Sequence, residues 1–246
     1  MTSSESAITS QRRITVLLFT WTAGSVDAIM YLAGHVFTAN MTGNAVLLGI
    51  AAGQGRGTDA ARSVIALLAF ASGIVIGAML VGEGGKPKRW TLVRRAVLVE
   101  TVILAVFTAV CRAPQQDRVV VTLMVAVSGL AMGLQSAAVK RLNLPGIATT
   151  YITGTFTSLL AGLVHHHWGP GPGEKEAHAA KSTLRLQAAV FLTYTLAAVA
   201  SGALYRQWPT VVTLLPLIAI GSVTTYMYFR HHRRHDEGSN QQPAAK

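Results

Sequence analysis

Six long apolar runs alternate with short polar stretches along the chain. They cover residues 14–34, 63–82, 96–111, 119–139, 186–205 and 209–229, and each carries at most one charge. An apolar run of about this length, wound as a helix that rises about 1.5 Å per residue, crosses a hydrocarbon core of about 30 Å. The pattern therefore predicts an all-α, polytopic membrane protein with about six full spans.

Composition and charge agree with a membrane protein. The chain has 246 residues, of which 51% are hydrophobic and 13% are charged, about half the charged share of a soluble domain. Its net charge is +11, but the basic residues lie at the ends of apolar runs rather than in a stripe, so we expect them to orient the chain in a membrane and not to bind nucleic acid. No catalytic or phosphate-binding motif is visible, so we predict neither an enzyme nor a cofactor or metal site.

Two shorter apolar segments, 41–53 and 149–166, begin with related polar sequences. Thr38-Ala-Asn-Met-Thr-Gly43 and Thr149-Thr-Tyr-Ile-Thr-Gly154 share the pattern Thr-x-x-x-Thr-Gly. The preceding runs also correspond when Ala23-Gly-Ser-Val-Asp27 is aligned with Ala131-Met-Gly-Leu-Gln135. These matches predict an internal duplication.

The duplication divides the chain into two membrane repeats. We expect the first repeat at residues 14–111 and the second at 118–230, between a disordered tail at 1–13 and a basic tail at 231–246. Three crossings per repeat would start the second repeat from the opposite face, giving an inverted pair like those of many transporters.

The positive charges favour six crossings over eight. If the short segments enter the membrane and return on the same side, and both termini are cytoplasmic, most of the Lys and Arg lie inside. If they cross, the basic cluster at residues 86–95 lies outside, which the positive-inside rule disfavours. Eight spans in two parallel repeats stay the alternative.

The paired motifs supply what a broken helix at membrane depth needs. Free backbone groups cost several kcal/mol in hydrocarbon, whereas hydroxyl and amide side chains cap helix N-termini. Two such N-termini facing a cavity would present partial positive charge to a solute. The alternative is a capped turn that only locks neighbouring helices together. The predicted solute-binding residues are Asn40, Thr42, Gly43, Asn44, Gln135, Thr153 and Gly154.

The apolar runs contain two acidic residues, Asp27 and Glu100. Because an ionisable group near the bilayer centre costs at least about 2.5 kcal/mol, such residues indicate function. We predict that Asp27, Glu100 and the nearby His35 couple protons or a cation. The alternative is that the carboxyl groups fasten helices together, with Glu100 pairing with Arg94 or Arg95.

Small residues recur one helical turn apart in two of the long runs. Gly73-x-x-x-Gly77 and Gly129-x-x-x-Gly133 allow two helix backbones to approach closely. We therefore expect both pairs to lie at helix contacts and not at a binding site.

Asp27, the Phe37-x-Ala-Asn-Met-Thr-Gly-Asn44 stretch, Gly133-Leu-Gln135 and Thr153-Gly154 together resemble the YoaK family of bacterial membrane proteins. The resemblance covers residues 14–230 and is most specific at Asn-Met-Thr-Gly-Asn. It implies a bacterial inner-membrane location and about six spans, but no substrate or catalytic residue.

Our leading hypothesis is a secondary transporter or channel for a small anionic or zwitterionic solute. The rival is a non-transporting accessory or sensor protein of the membrane, and a membrane-embedded enzyme is a weaker third. Nothing in the sequence indicates the oligomeric state.

Overall fold

The computed structural model describes residues 3–81, 89–114, 117–142, 152–168 and 174–239. All regular structure in these ranges is helical, which confirms the all-α prediction for them. The helices are α1 (Ser3–Gly34), α2 (Met41–Gly53), α3 (Gly57–Val81), α4 (Arg89–Val110), α5 (Arg118–Leu142), α6 (Ile152–Trp168), α7 (Glu174–Tyr205) and α8 (Leu214–Ser239).

Over its described residues, each predicted apolar run lies in a helix to within one residue, except at the start of the last run. The last run was expected to begin at residue 209, but α8 begins at Leu214 because residues 209–213 form turns. This start places Pro216 in the first turn of the helix, where its missing N–H group has no intrahelical partner to lose.

Four of the described helices are long and apolar enough to cross a membrane unaided. These stretches are Arg12–Gly34, Gly57–Leu80, Arg118–Arg141 and Lys181–Tyr205. The apolar parts of α2, α6 and α8 are shorter. The chain is thus a multi-pass helical membrane protein, while the count of six full spans stays a prediction.

The central helices α1 and α5 are antiparallel. Gln135, late in α5, donates a hydrogen bond of 3.1 Å to the carbonyl oxygen of Phe19, early in the apolar part of α1. Gly34, at the end of α1, lies beside Val121, at the start of α5. The end of α1 and the start of α5 therefore share one end of the bundle.

Helix α3 packs on α5 in the same direction through the predicted glycine pairs. A methyl group on Gly133 would lie 2.0 Å from the carbonyl oxygen of Phe70, and one on Gly77 would lie 2.7 Å from the Cβ of Ala137. Such distances leave no room for a side chain, so the backbones touch. The prediction that these glycines serve helix packing is confirmed.

Helix α7 packs on α1, again in the same direction. Arg13 donates a hydrogen bond to Ser182 near the start of both helices, and Gly24 lies against the carbonyl oxygen of Tyr194 farther along. A methyl group on Gly24 would be 2.5 Å from that oxygen. Only glycine therefore fits this contact.

Helices α4 and α8 form an antiparallel pair on one side of the bundle. The hydroxyl oxygens of Thr101 and Thr224 are 2.7 Å apart, and the Thr108 hydroxyl donates a 3.2 Å hydrogen bond to the carbonyl oxygen of Thr213. As the residue number rises along α4, its partner's number falls along α8.

The short helices α2 and α6 each end at the same end of the bundle as the long helix before them, α1 and α5 respectively. Helix α3 runs with α5, so it begins where α1 ends, and the three-residue turn at 54–56 puts the end of α2 there as well. Helix α6 is antiparallel to α7, because Phe156 stacks on Phe191 while Gly162 lies against Leu184. Since α7 starts where α1 starts, α6 ends at the end of the bundle where α5 ends.

Candidate functional site: the Asp27 turn

The connection between α1 and α2 starts with a left-handed residue. His35 has φ +55°, and its N–H group donates a 3.0 Å hydrogen bond to the carbonyl oxygen of Tyr31, so it closes the last turn of α1 in the manner of a helix C-cap. Its exposed ring lies edge-on to Tyr31. The local role of His35 is therefore to end α1, and its coupling role stays a prediction.

After His35 the chain folds back along α1. The ring of Phe37 stacks on Tyr31 with 5.1 Å between centroids, and the side chains of Val36 and Ala39 are buried. The turn reaches Asp27, which lies seven residues, or about 10 Å, before the end of α1. Helix α2 thus begins beside Asp27, about two helical turns short of the end of α1.

The Asp27 carboxyl group holds this turn in place. Its Oδ1 atom accepts hydrogen bonds from the backbone N–H groups of Thr38 (2.7 Å) and Ala39 (2.6 Å). Its Oδ2 atom accepts a 2.6 Å hydrogen bond from the Tyr194 hydroxyl of α7. With a side chain that is only 2% exposed, Asp27 ties α1 to both the turn and α7.

Asp27 has the surroundings of a carboxylate without a paired cation. Three donors reach its two oxygens, and the ion pairs in the described ranges join Asp59 to Arg56 and to Arg62 instead. The carboxylate also lies at the N-terminus of α2, where the helix dipole favours negative charge. This geometry supports the alternative role for Asp27, in which its carboxyl group fastens helices together.

Two asparagines of the motif close the turn. Asn44 accepts a 2.8 Å hydrogen bond from the Phe37 N–H group and donates one of 2.5 Å to the Phe37 carbonyl oxygen. Asn40 is the N-cap of α2, since its Oδ1 atom accepts from the N–H group of Gly43 at 3.2 Å. A methyl group on Gly43 would lie 2.9 Å from the Phe37 ring, whereas the side chain of Thr42 is exposed.

One polar group of the turn stays unpaired. The Thr38 hydroxyl is fully buried and has no hydrogen-bond partner among the described residues. Its own backbone N–H group is bonded to Asp27. Since a buried hydroxyl without a partner is costly, this oxygen is a candidate point of contact for a bound molecule.

Gln135 does not join the Asp27 turn. Its amide group donates to the carbonyl oxygen of Phe19, two helical turns before Asp27 on α1, while its Oε1 atom has no partner among the described residues. Gln135 is therefore placed to link α5 with α1, and its predicted role in binding a solute stays untested.

The second copy of the motif is described only in part. Residues 149–151 lie outside the described ranges, and Thr153 and Gly154 are exposed at the start of α6. A methyl group on Gly154 would meet nothing within 4 Å. Within the described ranges, no hydrogen bond joins this copy to the Asp27 turn.

Glu100 lies away from the turn, on the buried face of α4. Its side chain is fully buried, and neither carboxyl oxygen has a partner in the part of the chain that the structure describes. The alternative pairing with Arg94 or Arg95 is absent there. The two acids therefore have opposite surroundings.

Sequence reasoning missed Tyr194. It lies 167 positions from Asp27, and no motif links the two residues. One signal was available, because a tyrosine in the middle of an apolar run needs a hydrogen-bond partner for its hydroxyl group. A buried acid in another run is the natural partner.

Comparisons with known proteins place the chain in a family. The UPF0700 transmembrane protein YoaK of Bacillus subtilis (strain 168) is 40% identical over 150 residues, which are 61% of this chain and 66% of that protein, just under two thirds of its length. No solved structure matches. A family model described as a protein of unknown function, DUF1275, matches residues 15–227. The chain therefore belongs to the DUF1275 family.

Proposed function

We propose that this protein is a small secondary transporter or channel for a small solute. The observation that carries the proposal is the start of α2 beside Asp27, about two helical turns short of the end of α1, with the buried Thr38 hydroxyl left unpaired there among the described residues. Backbone that leaves a helix at membrane depth is tolerated where protein surrounds it or where it lines a cavity. In transporters, broken helices of this kind form the substrate site.

Helix directions support six crossings. A helix of 13 residues, such as α2, is about 20 Å long, which is shorter than the hydrocarbon core of about 30 Å. It starts about 10 Å inside the end of α1 and returns to that same end of the bundle. In our proposal α2 and α6 are therefore re-entrant, and the other six helices cross.

The same helix directions support an inverted duplication. The first and fifth helices would be equivalent, as would the fourth and eighth, and each of these pairs is antiparallel. A two-fold axis in the membrane plane relates antiparallel copies in this way. Both termini then lie on one side, which the basic residues favour as the cytoplasmic side of a bacterial inner membrane.

Matching contacts between the two halves add support. A glycine of each half lies against the carbonyl oxygen of an aromatic residue of the other half. Gly133 of α5 lies against Phe70 of α3, and Gly24 of α1 lies against Tyr194 of α7. The two halves thus exchange the same type of contact. These contacts make Gly24 of the first half equivalent to Gly133 of the second. This equivalence differs by one residue from the sequence alignment in which Asp27 corresponds to Gln135.

The chemistry of the turn narrows the solute class. Asp27 accepts hydrogen bonds from the backbone N–H groups of Thr38 and Ala39, directly before the N-cap of α2, so its carboxyl group lies beside the helix N-terminus where a solute anion would bind. A simple anion would also meet the Asp27 charge at short range. The proposed solute is therefore neutral or zwitterionic, with a group that hydrogen-bonds to the Thr38 hydroxyl.

Solute uptake into proteoliposomes tests the proposal. A panel of amino acids, polyols and small organic acids is compared in wild type, Thr38→Val and Thr225→Val. Valine keeps the shape of threonine, so losing the unpaired Thr38 hydroxyl leaves the fold intact but weakens binding. We expect uptake that falls in Thr38→Val and persists in Thr225→Val, which changes an exposed side chain of α8. Uptake equal to that of protein-free vesicles for every solute would contradict transport.

The second candidate is a non-transporting accessory or sensor protein. The pairing of Asp27, Asn40 and Asn44 within the chain favours it, because these side chains already have a structural role. The same uptake panel separates the two candidates, since an accessory protein moves no solute.

A further inference from the structure

Glu100 lies on the continuous buried face of α4. Val97 and Leu104, one turn before and one turn after it, are fully buried on the same face. This face packs against α5 and α8, with a smaller contact to α3. Glu100 therefore sits in the packed interior and not toward lipid.

Polar side chains near the level of Glu100 are already engaged. On α8, the Thr224 hydroxyl is bonded to Thr101 and to the carbonyl oxygen of Ile220. On α5, the buried Ser128 hydroxyl donates to the carbonyl oxygen of Met124. Neither hydroxyl is bonded to the carboxyl group.

Charged residues on the packed helices lie toward their ends. They are Arg94 and Arg95 on α4, Arg118, Lys140 and Arg141 on α5, and Asp59 and Arg62 on α3. The described side chains of α8 include no acid, Lys or Arg, and its Tyr226 and Tyr228 are exposed. No described ion pair involves Glu100.

We propose that Glu100 is a proton-binding site inside the bundle. An unpaired carboxylate charge in this apolar interior is far more costly than a neutral carboxyl group, so the resting state holds the proton. Asp27 differs from Glu100, because three hydrogen-bond donors reach its carboxyl oxygens whereas none reaches Glu100 among the described residues.

The role of this proton in transport rests on the proposed function, but the site itself is testable without any solute. Infrared spectra of the full chain in lipid are compared for wild type, Glu100→Gln and Asp27→Asn. A protonated carboxyl group has a C=O stretch that is separate from the bands of carboxylates. We expect such a band in wild type and in Asp27→Asn, and its loss in Glu100→Gln.

Exchange and titration distinguish a proton site from a static neutral group. In wild type the band should shift in D₂O and weaken as the pH rises. A wild-type spectrum identical to that of Glu100→Gln would overturn the proposal, and so would a band that neither shifts in D₂O nor titrates. Absence of solute uptake together with the expected band would overturn transport alone.

Chemical modification keeps the test valid if Glu100→Gln does not fold. Dicyclohexylcarbodiimide enters apolar regions and adds to a protonated carboxyl group, with rearrangement to a stable acylurea that mass spectrometry locates. Wild-type protein in lipid should carry this adduct on Glu100, with less labelling at higher pH. Labelling of Asp27 without Glu100, or no labelling of either, would overturn the proposal.

Discussion

The hydroxyl of Tyr194 donates a 2.6 Å hydrogen bond to Oδ2 of Asp27, so the Asp27 carboxyl group links α7 to the turn that starts α2. The other oxygen of the same carboxyl group holds the backbone of Thr38 and Ala39. The position of α2 therefore depends on helices from both halves of the chain.

Tyr194→Phe tests the contribution of this contact to stability. The change removes one donor to a buried carboxylate and keeps the ring. We expect the free energy of unfolding in mixed micelles to fall by about 1 to 2 kcal/mol, because hydrogen bonds to charged groups exceed neutral ones. Tyr228→Phe is the matched control, since Tyr228 is 55% exposed and lies away from Asp27.

Asp27→Ala should lower the free energy of unfolding by more than Tyr194→Phe does, by about 3 kcal/mol or above. It leaves two buried backbone N–H groups and the Tyr194 hydroxyl without their acceptor, and each unsatisfied buried group costs about 1 to 3 kcal/mol. When Tyr194→Phe is introduced into the Asp27→Ala variant, the free energy of unfolding should fall almost no further. Additive losses would mean that the two side chains do not interact.

The side-chain amide of Asn44 should contribute more to the free energy of unfolding than the Thr42 hydroxyl of the same motif. It pairs with both backbone groups of Phe37 and is fully buried, whereas Thr42 is exposed. We expect Asn44→Ala to lower the unfolding free energy by about 2 to 3 kcal/mol and Thr42→Ala to change it by less than about 0.5 kcal/mol. Equal effects would show that the turn is not closed by Asn44.

The helix contact at Gly133 gives a steric prediction. An alanine methyl group there would lie 2.0 Å from the Phe70 carbonyl oxygen, which is backbone and not a flexible side chain. We expect Gly133→Ala to lower the thermal unfolding midpoint and the yield of folded protein. Gly202→Ala is the matched control within α7, because a methyl group there meets nothing within 4 Å. Equal midpoints for the two variants would contradict the close α3–α5 contact.

Local patterns in the sequence were enough to predict the helices and the capped motif. Asn40 and Gly43 act within four residues of each other, so the capping signal is readable from the sequence. Hydrogen-bond partners that are distant along the chain could not be predicted from the sequence. The donors of Asp27 are two backbone groups and a tyrosine on another helix, and a backbone group has no residue type to signal it.

The opposite surroundings of the two acids were also beyond the sequence. Asp27 and Glu100 each interrupt an apolar run, and the pattern around them is similar. Which acid finds donors depends on how the helices pack, because Asp27 faces a turn with free N–H groups whereas Glu100 faces apolar neighbours. The prediction that both acids couple ions stays a prediction for each of them.

The most direct test of the account is whether α2 returns to the side on which α1 ends. Single cysteines replace His35, Arg56 or Lys86 in a Cys111→Ser background, which removes the native buried thiol. His35 and Arg56 are exposed at the ends of α1 and α2. An impermeant thiol reagent is then applied to each face of sealed vesicles in turn. A re-entrant α2 predicts that positions 35 and 56 are labelled from one face and position 86 from the other; labelling of 35 and 56 from opposite faces would contradict it.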